Sequence, residues 1–233
     1  MKLAIMQPYF FPYIGYFQLV NAVDKFIFYD DVQYIKGGWI NRNRILINGE
    51  ARYFTTPLIK SSQNKLINEI AIETQSVNFS KAIKTIAMAY QQAPQFEVVF
   101  EIICDVLKNR DCSIGDMAAE SIKQCAHYLG INTKFYKSSQ YFSETKKLKK
   151  AERLQSICKQ MDANIYINPI GGQNLYSKEN FEENGIELKF IRSLPIEYTQ
   201  FNNEFVPWLS IIDVLMFNSI KQVKKMLNRH EYV

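Results

Sequence analysis

Apolar and polar positions repeat at two different periods along this chain, and the switches between them outline the fold. Leu3 to Met6 is a short continuous apolar run closed by Pro8, the pattern of a buried strand. Tyr9 to Pro12 then reads as a loop. Residues 13–22 set Ile14, Phe17, Gln18 and Val20 to Ala22 on a partly apolar face and predict a helix. Lys25 to Asp30, with Phe26, Ile27, Phe28 and Tyr29, has the aromatic and β-branched content of a second strand. Strand, loop, helix and strand follow one another within about 30 residues, the size of a right-handed βαβ crossover unit.

Ile40 to Ile47 and Arg52 to Pro57 flank Asn48-Gly49, two residues that accept positive φ, so a hairpin is predicted there. Leu66 to Ile72 reads as a further short strand. The period becomes helical over residues 79–92, 94–109 and 113–129, where Ser113 and Asp116 have capping-box spacing. Phe135 to Lys137 is a candidate strand and Lys149 to Met161 an amphipathic helix. Asn164 to Asn168 is a strand running into Pro169-Ile170-Gly171-Gly172, residues 186–191 form a last strand, and residues 208–228 form one closing helix. The polar, Lys-rich stretch from Ser138 to Lys150 reads as a mobile surface loop. The expected architecture is α/β: an open, mostly parallel sheet with helices on its faces. A β-hairpin near residues 40–57 and a helical segment near 79–129 are added to it, within a single domain over residues 1–233.

Composition narrows the functional classes. The 233 residues are 47% hydrophobic and 22% charged, ordinary globular material with enough chain for a sizeable core. A net charge of +5 is too small an excess to argue for nucleic acid, though it suits anionic ligands such as phosphates. Cys104, Cys112, Cys125 and Cys158 have no metal-ligand spacing, and only His127 and His230 exist to assist them, so no metal site is expected. Free thiols in a reducing compartment fit best. The apolar start is too short for a signal segment or a membrane span, and no later stretch reaches 18 apolar residues. A soluble cytoplasmic protein, with no membrane insertion, is the expectation.

Four constellations can carry chemistry. Gln7 through Phe17 follows the first strand, and ligands of open α/β sheets sit beyond the carboxyl ends of strands. There Gln7 offers an amide, Tyr9 and Tyr16 offer rings and hydroxyls, and Gly15 lets a ligand or backbone approach closely near a helix N-terminus. Asp30 through Arg44 follows the second strand and reaches the same end. Asp30, Asp31, Gln33, Lys36, Trp39, Asn41, Arg42, Asn43 and Arg44 form a mixture suited to sugar hydroxyls or phosphate, or to a salt-bridged surface hairpin. Strand alternation sends Asn41 and Asn43 to one face and Arg42 and Arg44 to the other. Asn168 through Tyr176 contains paired glycines, Gly171 and Gly172, whose N–H groups suit an anion or a simple turn. Ser210 and Asp213 belong to the last constellation. Asp213 shares an apolar helix face with Leu209 and Met216, so it is either a general base of raised pKa or a buried partner for Arg42 or Arg44. No Walker A sequence and no G-x-G-x-x-G occurs.

These blocks resemble the WbqC-like family of bacterial proteins: Ile5-Met6-Gln7-Pro8 with Pro12 to Phe17, Tyr29 to Tyr34, Trp39 to Asn43, Asn168 to Tyr176 and Leu209 to Asp213. The family is associated with gene clusters for O-antigen and other surface polysaccharides. The resemblance therefore implies a transferase, acyl or aminoacyl, that modifies a nucleotide-linked amino sugar. Many members carry His-Gln-Pro where this chain has Met6-Gln7-Pro8, which shifts acid–base work to Asp30, Asp31 or Asp213. In that mechanism a carboxylate takes a proton from the acceptor amine, and Gln7, Gln33, Asn41 and Asn43 orient hydroxyls. Lys36, Arg42 and Arg44 hold the diphosphate, and Tyr16 and Trp39 stack on a ring. Asn168, Gly171, Gly172, Tyr176 and Ser210 complete the substrate contacts. The strand, Pro-containing loop and Gly-aromatic helix start also look like the nucleotidylyltransferase arrangement of pantothenate synthetases. An ATP-using nucleotidyl-transferring or adenylate-forming enzyme is thus an alternative, and a non-catalytic sugar-nucleotide binding protein a further one.

Overall fold

The computed structural model describes residues 1–202 and 204–233. In chain order its elements begin with β1 (Lys2–Met6), α1 (Ile14–Asn21), β2 (Lys25–Phe28), β3 (Arg42–Ile47) and β4 (Glu50–Thr55). Three helices follow, α2 (Val77–Tyr90), α3 (Phe96–Lys108) and α4 (Ile114–Tyr128), and then β5 (Lys134–Lys137) and α5 (Ser138–Tyr141). The remainder is α6 (Lys150–Gln160), β6 (Ile165–Pro169), α7 (Lys178–Glu182), β7 (Glu187–Ser193), α8 (Ile211–Phe217), α9 (Ile220–Leu227) and β8 (His230–Tyr232).

Six strands form one sheet in the order β5-β2-β1-β6-β7-β8, and β3 and β4 form a separate antiparallel hairpin. All sheet pairings are parallel except β7 with β8. This is the expected α/β architecture. Counted along the chain, the five parallel strands lie third-second-first-fourth-fifth, so the order reverses between β1 and β6. Both sheet faces are covered, which is why β1 and β2 read as continuous apolar runs rather than alternating ones. Ala4, Phe26 and Phe28 pack into one core with α1, α4, α8 and α9. Leu3, Ile5 and Ile27 face the other core with α6 and α7. Asn48 and Gly49 take φ of 51° and 78° in the hairpin turn, and Ser113 caps α4 with Asp116 reaching back, both as expected.

Four expectations change. Leu66 to Ile72 is not a strand. Leu66, Ala71 and Ile72 make isolated bridges to Gln33, Ser113 and Leu58, with a 3₁₀ turn over Ile67–Glu69 between them. The closing helix is two helices, because Asn218 leaves the helical conformation and Ser219 caps a new start with Gln222. The segment after β5 is not a loose surface loop: it holds α5 and a 3₁₀ turn, with Ser138 and Thr145 buried. Residues 186–191 are not the last strand, since β8 pairs onto β7. The four cysteines are free thiols, Cys125 and Cys158 buried and the others half-buried. Among the described residues, no helix is long and apolar enough to cross a membrane.

Candidate functional site

A cavity of about 970 Å³ opens at the carboxyl end of the parallel strands. It lies where the strand order reverses, the crevice in which open α/β sheets bind ligands. The tip of β1 supplies Met6 and Gln7, and the start of α1 supplies Tyr13, Gly15 and Tyr16. Tyr29 enters from the end of β2, and Asn168, Gly171, Gly172 and Tyr176 enter from the end of β6. Arg192 and Ser193 come from the end of β7. The hairpin side adds Trp39, Asn43 and Arg44, and the segment before α8 adds Trp208.

The loop from Gln7 to Pro12 is held from three sides. Asn43 donates from Nδ2 to the carbonyl oxygens of Phe10 (3.1 Å) and Phe11 (2.9 Å). Ser210 Oγ donates to the same Phe11 carbonyl at 2.6 Å, and the Phe11 N–H donates to Ser121 Oγ at 3.0 Å. Phe11 sits at φ 42°, a conformation that these bonds over-determine. Asn43 and Ser210 are therefore anchors of the cleft floor. Tyr16 Oη donates to the Gln7 carbonyl at 2.9 Å, locking the tip of β1 to α1. At Gly15 the backbone and the Tyr13 ring approach closely: a Cβ there would lie 2.3 Å from the ring, which would have to move aside. At the end of β6, a Cβ on Gly172 would lie 2.3 Å from Asn168 Oδ1, while Gly171 faces open space.

Of the residues singled out in the sequence, Gln7, Tyr9, Gly15, Tyr16, Trp39, Asn43, Arg44, Asn168, Gly171, Gly172 and Tyr176 come together on this cleft. Asp30, Asp31, Asp213, Gln33, Lys36, Asn41, Arg42 and Ser210 do not line it. Asp30 is buried and accepts from the Ser139 N–H (3.0 Å) and Ser139 Oγ (2.7 Å) at the start of α5. Asp31 is buried against Arg153, Nη2 to Oδ2 at 2.7 Å, with Lys146 at 3.8 Å. These two carboxylates fasten the segment after β5 to the end of β2. Asn41 is buried and satisfied by Tyr34 Oη and the Thr56 carbonyl. Arg42 lies over the Tyr53 ring at 4.4 Å and donates to the carbonyls of Gly37 and Gly38, pinning the turn that carries Trp39. Gln33 and Lys36 are exposed.

Asp213 is fully buried, and its partners are neither Arg42 nor Arg44. It accepts from Tyr90 Oη (2.6 Å), Tyr198 Oη (2.6 Å) and Gln200 Nε2 (2.7 Å). Burial pushes its carboxyl up, against the three hydrogen bonds that favour the charged form. A raised folded value means that the folded state holds the proton more tightly. The stabilisation is complete below the unfolded-chain value of about 3.9 and is lost as pH rises through the folded value. Urea unfolding of the parent and Asp213→Asn should give a stability difference that shifts toward the Asn variant as pH rises from about 4. A pH-independent difference would show that the carboxyl is not raised.

The titratable groups of the lining are Tyr9, Tyr13, Tyr16, Tyr29, Tyr166, Tyr176, Arg44 and Arg192. Burial raises all six phenols, most strongly Tyr16 and Tyr166, so they remain neutral hydroxyls. Arg192 is paired with Glu231 at 2.9 Å. Among the described residues Arg44 has no carboxylate partner, and its Nε is buried without a hydrogen bond. Among the described residues the lining thus holds no carboxylate; its polar groups are hydroxyls, amides and a guanidinium without an acidic partner, set among apolar side chains such as Ile5, Ile170, Leu175 and Trp208. The tip of β7 was missed in the sequence, although the strand-end rule that selected Gln7 and Asn168 applies to Arg192 and Ser193 equally. Trp208 carries no local signal that distinguishes it from core.

A family model for the WbqC-like protein family matches residues 7–225 of the chain, a span that starts at Gln7, just after β1, and takes in the cleft residues at the ends of β2, β6 and β7. The chain belongs to the WbqC-like family. The uncharacterized protein Rv1507c of Mycobacterium tuberculosis (strain ATCC 25618 / H37Rv) is 30% identical over 221 residues, covering 93% of each chain. No solved structure matches this WbqC-like protein.

Proposed function

We propose that this protein is a transferase of surface-polysaccharide (O-antigen) synthesis, moving an acyl or aminoacyl group onto a nucleotide-linked amino sugar held in the cleft. The observation that carries the reading is the cleft's lining. Phenol hydroxyls, the amides of Gln7, Asn43 and Asn168, and an arginine without an acidic partner meet at the reversal of strand order, with no carboxylate among the described lining residues to repel a diphosphate. Asp30, Asp31 and Asp213, the carboxylates considered as bases, are engaged elsewhere. The step then rests on positioning and on hydrogen bonds to developing charge. The amine attacks the carbonyl carbon of an activated ester or thioester, a C–N bond forms, the bond to the leaving group breaks, and the amine proton departs with that group. Gln7 and the hydroxyls of Tyr9, Tyr13 and Tyr176 are the donors available to the oxyanion, whereas those of Tyr16 and Tyr166 are spent on the carbonyls of Gln7 and Ile5.

The test is a thermal-shift series with UDP- and dTDP-linked amino sugars, using MgATP as comparator. A nucleotide sugar at 100 times its Kd should stabilise the fold by about 2.7 kcal/mol. The alternative is a nucleotidyl-transferring enzyme using ATP. The third-second-first-fourth-fifth strand order, with a helix N-terminus at the reversal, favours nucleotide binding in either case. Stabilisation by MgATP and by no nucleotide sugar would transfer the conclusion to that alternative.

A further inference from the structure

The chain has two tryptophans, Trp39 and Trp208. Both line the cleft, and both are left open, 37% and 57% exposed. Arg44 touches both segments: its Cζ lies 5.7 Å from the Trp39 ring centroid, and its Nη2 donates to the backbone carbonyl of Trp208 at 3.1 Å. Trp208 sits at φ 61°, a conformation that a bulky side chain adopts only under constraint and that recurs at ligand clamps. The Tyr13 ring, at the start of α1, lies 6.0 Å from the Trp208 ring. One side of the cleft therefore combines open indole surface, a cation whose Nε is buried and unpaired, and the first turn of α1. The opposite side, at the end of β6, differs in kind. Tyr176 offers a hydroxyl beside the exposed Leu175, Gly171 faces open space, Asn168 gives one N–H to Tyr166 Oη at 2.8 Å and keeps its other polar positions, and the nearby Arg192 is already paired with Glu231.

We infer that the nucleotide end of the ligand lies on the hairpin side, its base against the indoles and its phosphates on Arg44, while the sugar end points to the Asn168–Gly172 turn. This orientation rests on the nucleotide-sugar reading above and goes beyond it. Flat aromatic bases suit indole faces, anionic phosphates suit the guanidinium and helix start, and a polyhydroxyl ring suits amides and phenols.

The test uses UDP and dTDP, the corresponding nucleotide amino sugars, and amino-sugar 1-phosphates that lack a base. Tryptophan fluorescence and calorimetry are followed in the parent, Trp39→Phe, Trp208→Phe, Trp208→Ala and Asn168→Ala. The free nucleotides and their sugars should change the fluorescence of the parent and of Trp39→Phe, where Trp208 alone reports, and the sugar 1-phosphates should leave that of Trp39→Phe unaltered. Trp208→Ala should weaken nucleotide and nucleotide sugar alike by about tenfold or more, with Trp208→Phe recovering most of it. Asn168→Ala should weaken the nucleotide sugar and leave the free nucleotide unchanged. Calorimetric binding of the nucleotide sugar with unaltered fluorescence, and with full affinity in Trp208→Ala, would overturn the orientation and leave the nucleotide-sugar reading standing. Absence of binding by every nucleotide and nucleotide sugar would overturn both.

Discussion

Arg153→Met should destabilise the protein by about 3–5 kcal/mol in urea unfolding, the range for removing one partner of a buried ion pair. Arg153 is buried, its Nη2 donates to Asp31 at 2.7 Å, its Nε donates to Thr145 Oγ1 at 3.1 Å, and its guanidinium covers the Tyr29 ring at 4.7 Å. Methionine fills much of the volume but leaves the Asp31 carboxylate buried and facing Ser138 and Lys146 alone, the latter 3.8 Å away and half exposed. The cost comes from the abandoned charge rather than from the worth of the pair. Adding Asp31→Asn to the variant should therefore recover part of the loss. A loss below about 1 kcal/mol would mean that water or Lys146 satisfies Asp31 without Arg153.

The same substitution at Arg44 should separate stability from binding in the other direction. Arg44 is half-buried, donates to one backbone carbonyl, and carries a buried Nε with no partner. Arg44→Met removes that unmatched donor, so unfolding free energy should stay within about 0.5 kcal/mol of the parent or rise slightly. Affinity for a nucleotide sugar should fall by more than about 100-fold, since a desolvated charge-assisted contact is lost. Equilibrium unfolding and calorimetry on one preparation decide the matter. Unchanged affinity would take Arg44 out of the site, and a large loss of stability would make it a structural residue like Arg153.

The contrast between these two arginines marks what could be read along the chain. Strand tips were legible because β1, β2 and β6 each end on a run that mixes amide, aromatic and glycine after an apolar stretch. The hairpin was legible because Asn48-Gly49 admits few other structures. What could not be read was the partner of each polar group. Asp31 and Arg153 are separated by 122 residues, and Asp213 and Tyr90 by 123, with nothing local in the sequence to couple them. Asp30 and Asp31 stand at a strand tip, as a catalytic pair would. They are held there by Ser138 and Ser139, in a segment whose lysines suggested a solvated loop. The break in the closing helix was within reach, since Ser219-Ile220-Lys221-Gln222 is a capping box inside an otherwise continuous apolar stripe. The helical period masked it.

The two outermost strands of the main sheet have a consequence for self-association. A sheet rim exposes unpaired amide groups that another chain can copy. Here one rim is β5, four residues with Lys134 and Lys137 at its ends, closed off at once by the turn into α5. The other is β8, three residues running against the direction of the rest and bearing the charged Glu231. Short length and charge blunt both templates. The apolar strands β1 and β2 lie inside, where no second molecule can reach their backbones. The main sheet thereby keeps its most apolar strands away from its rims in the native state.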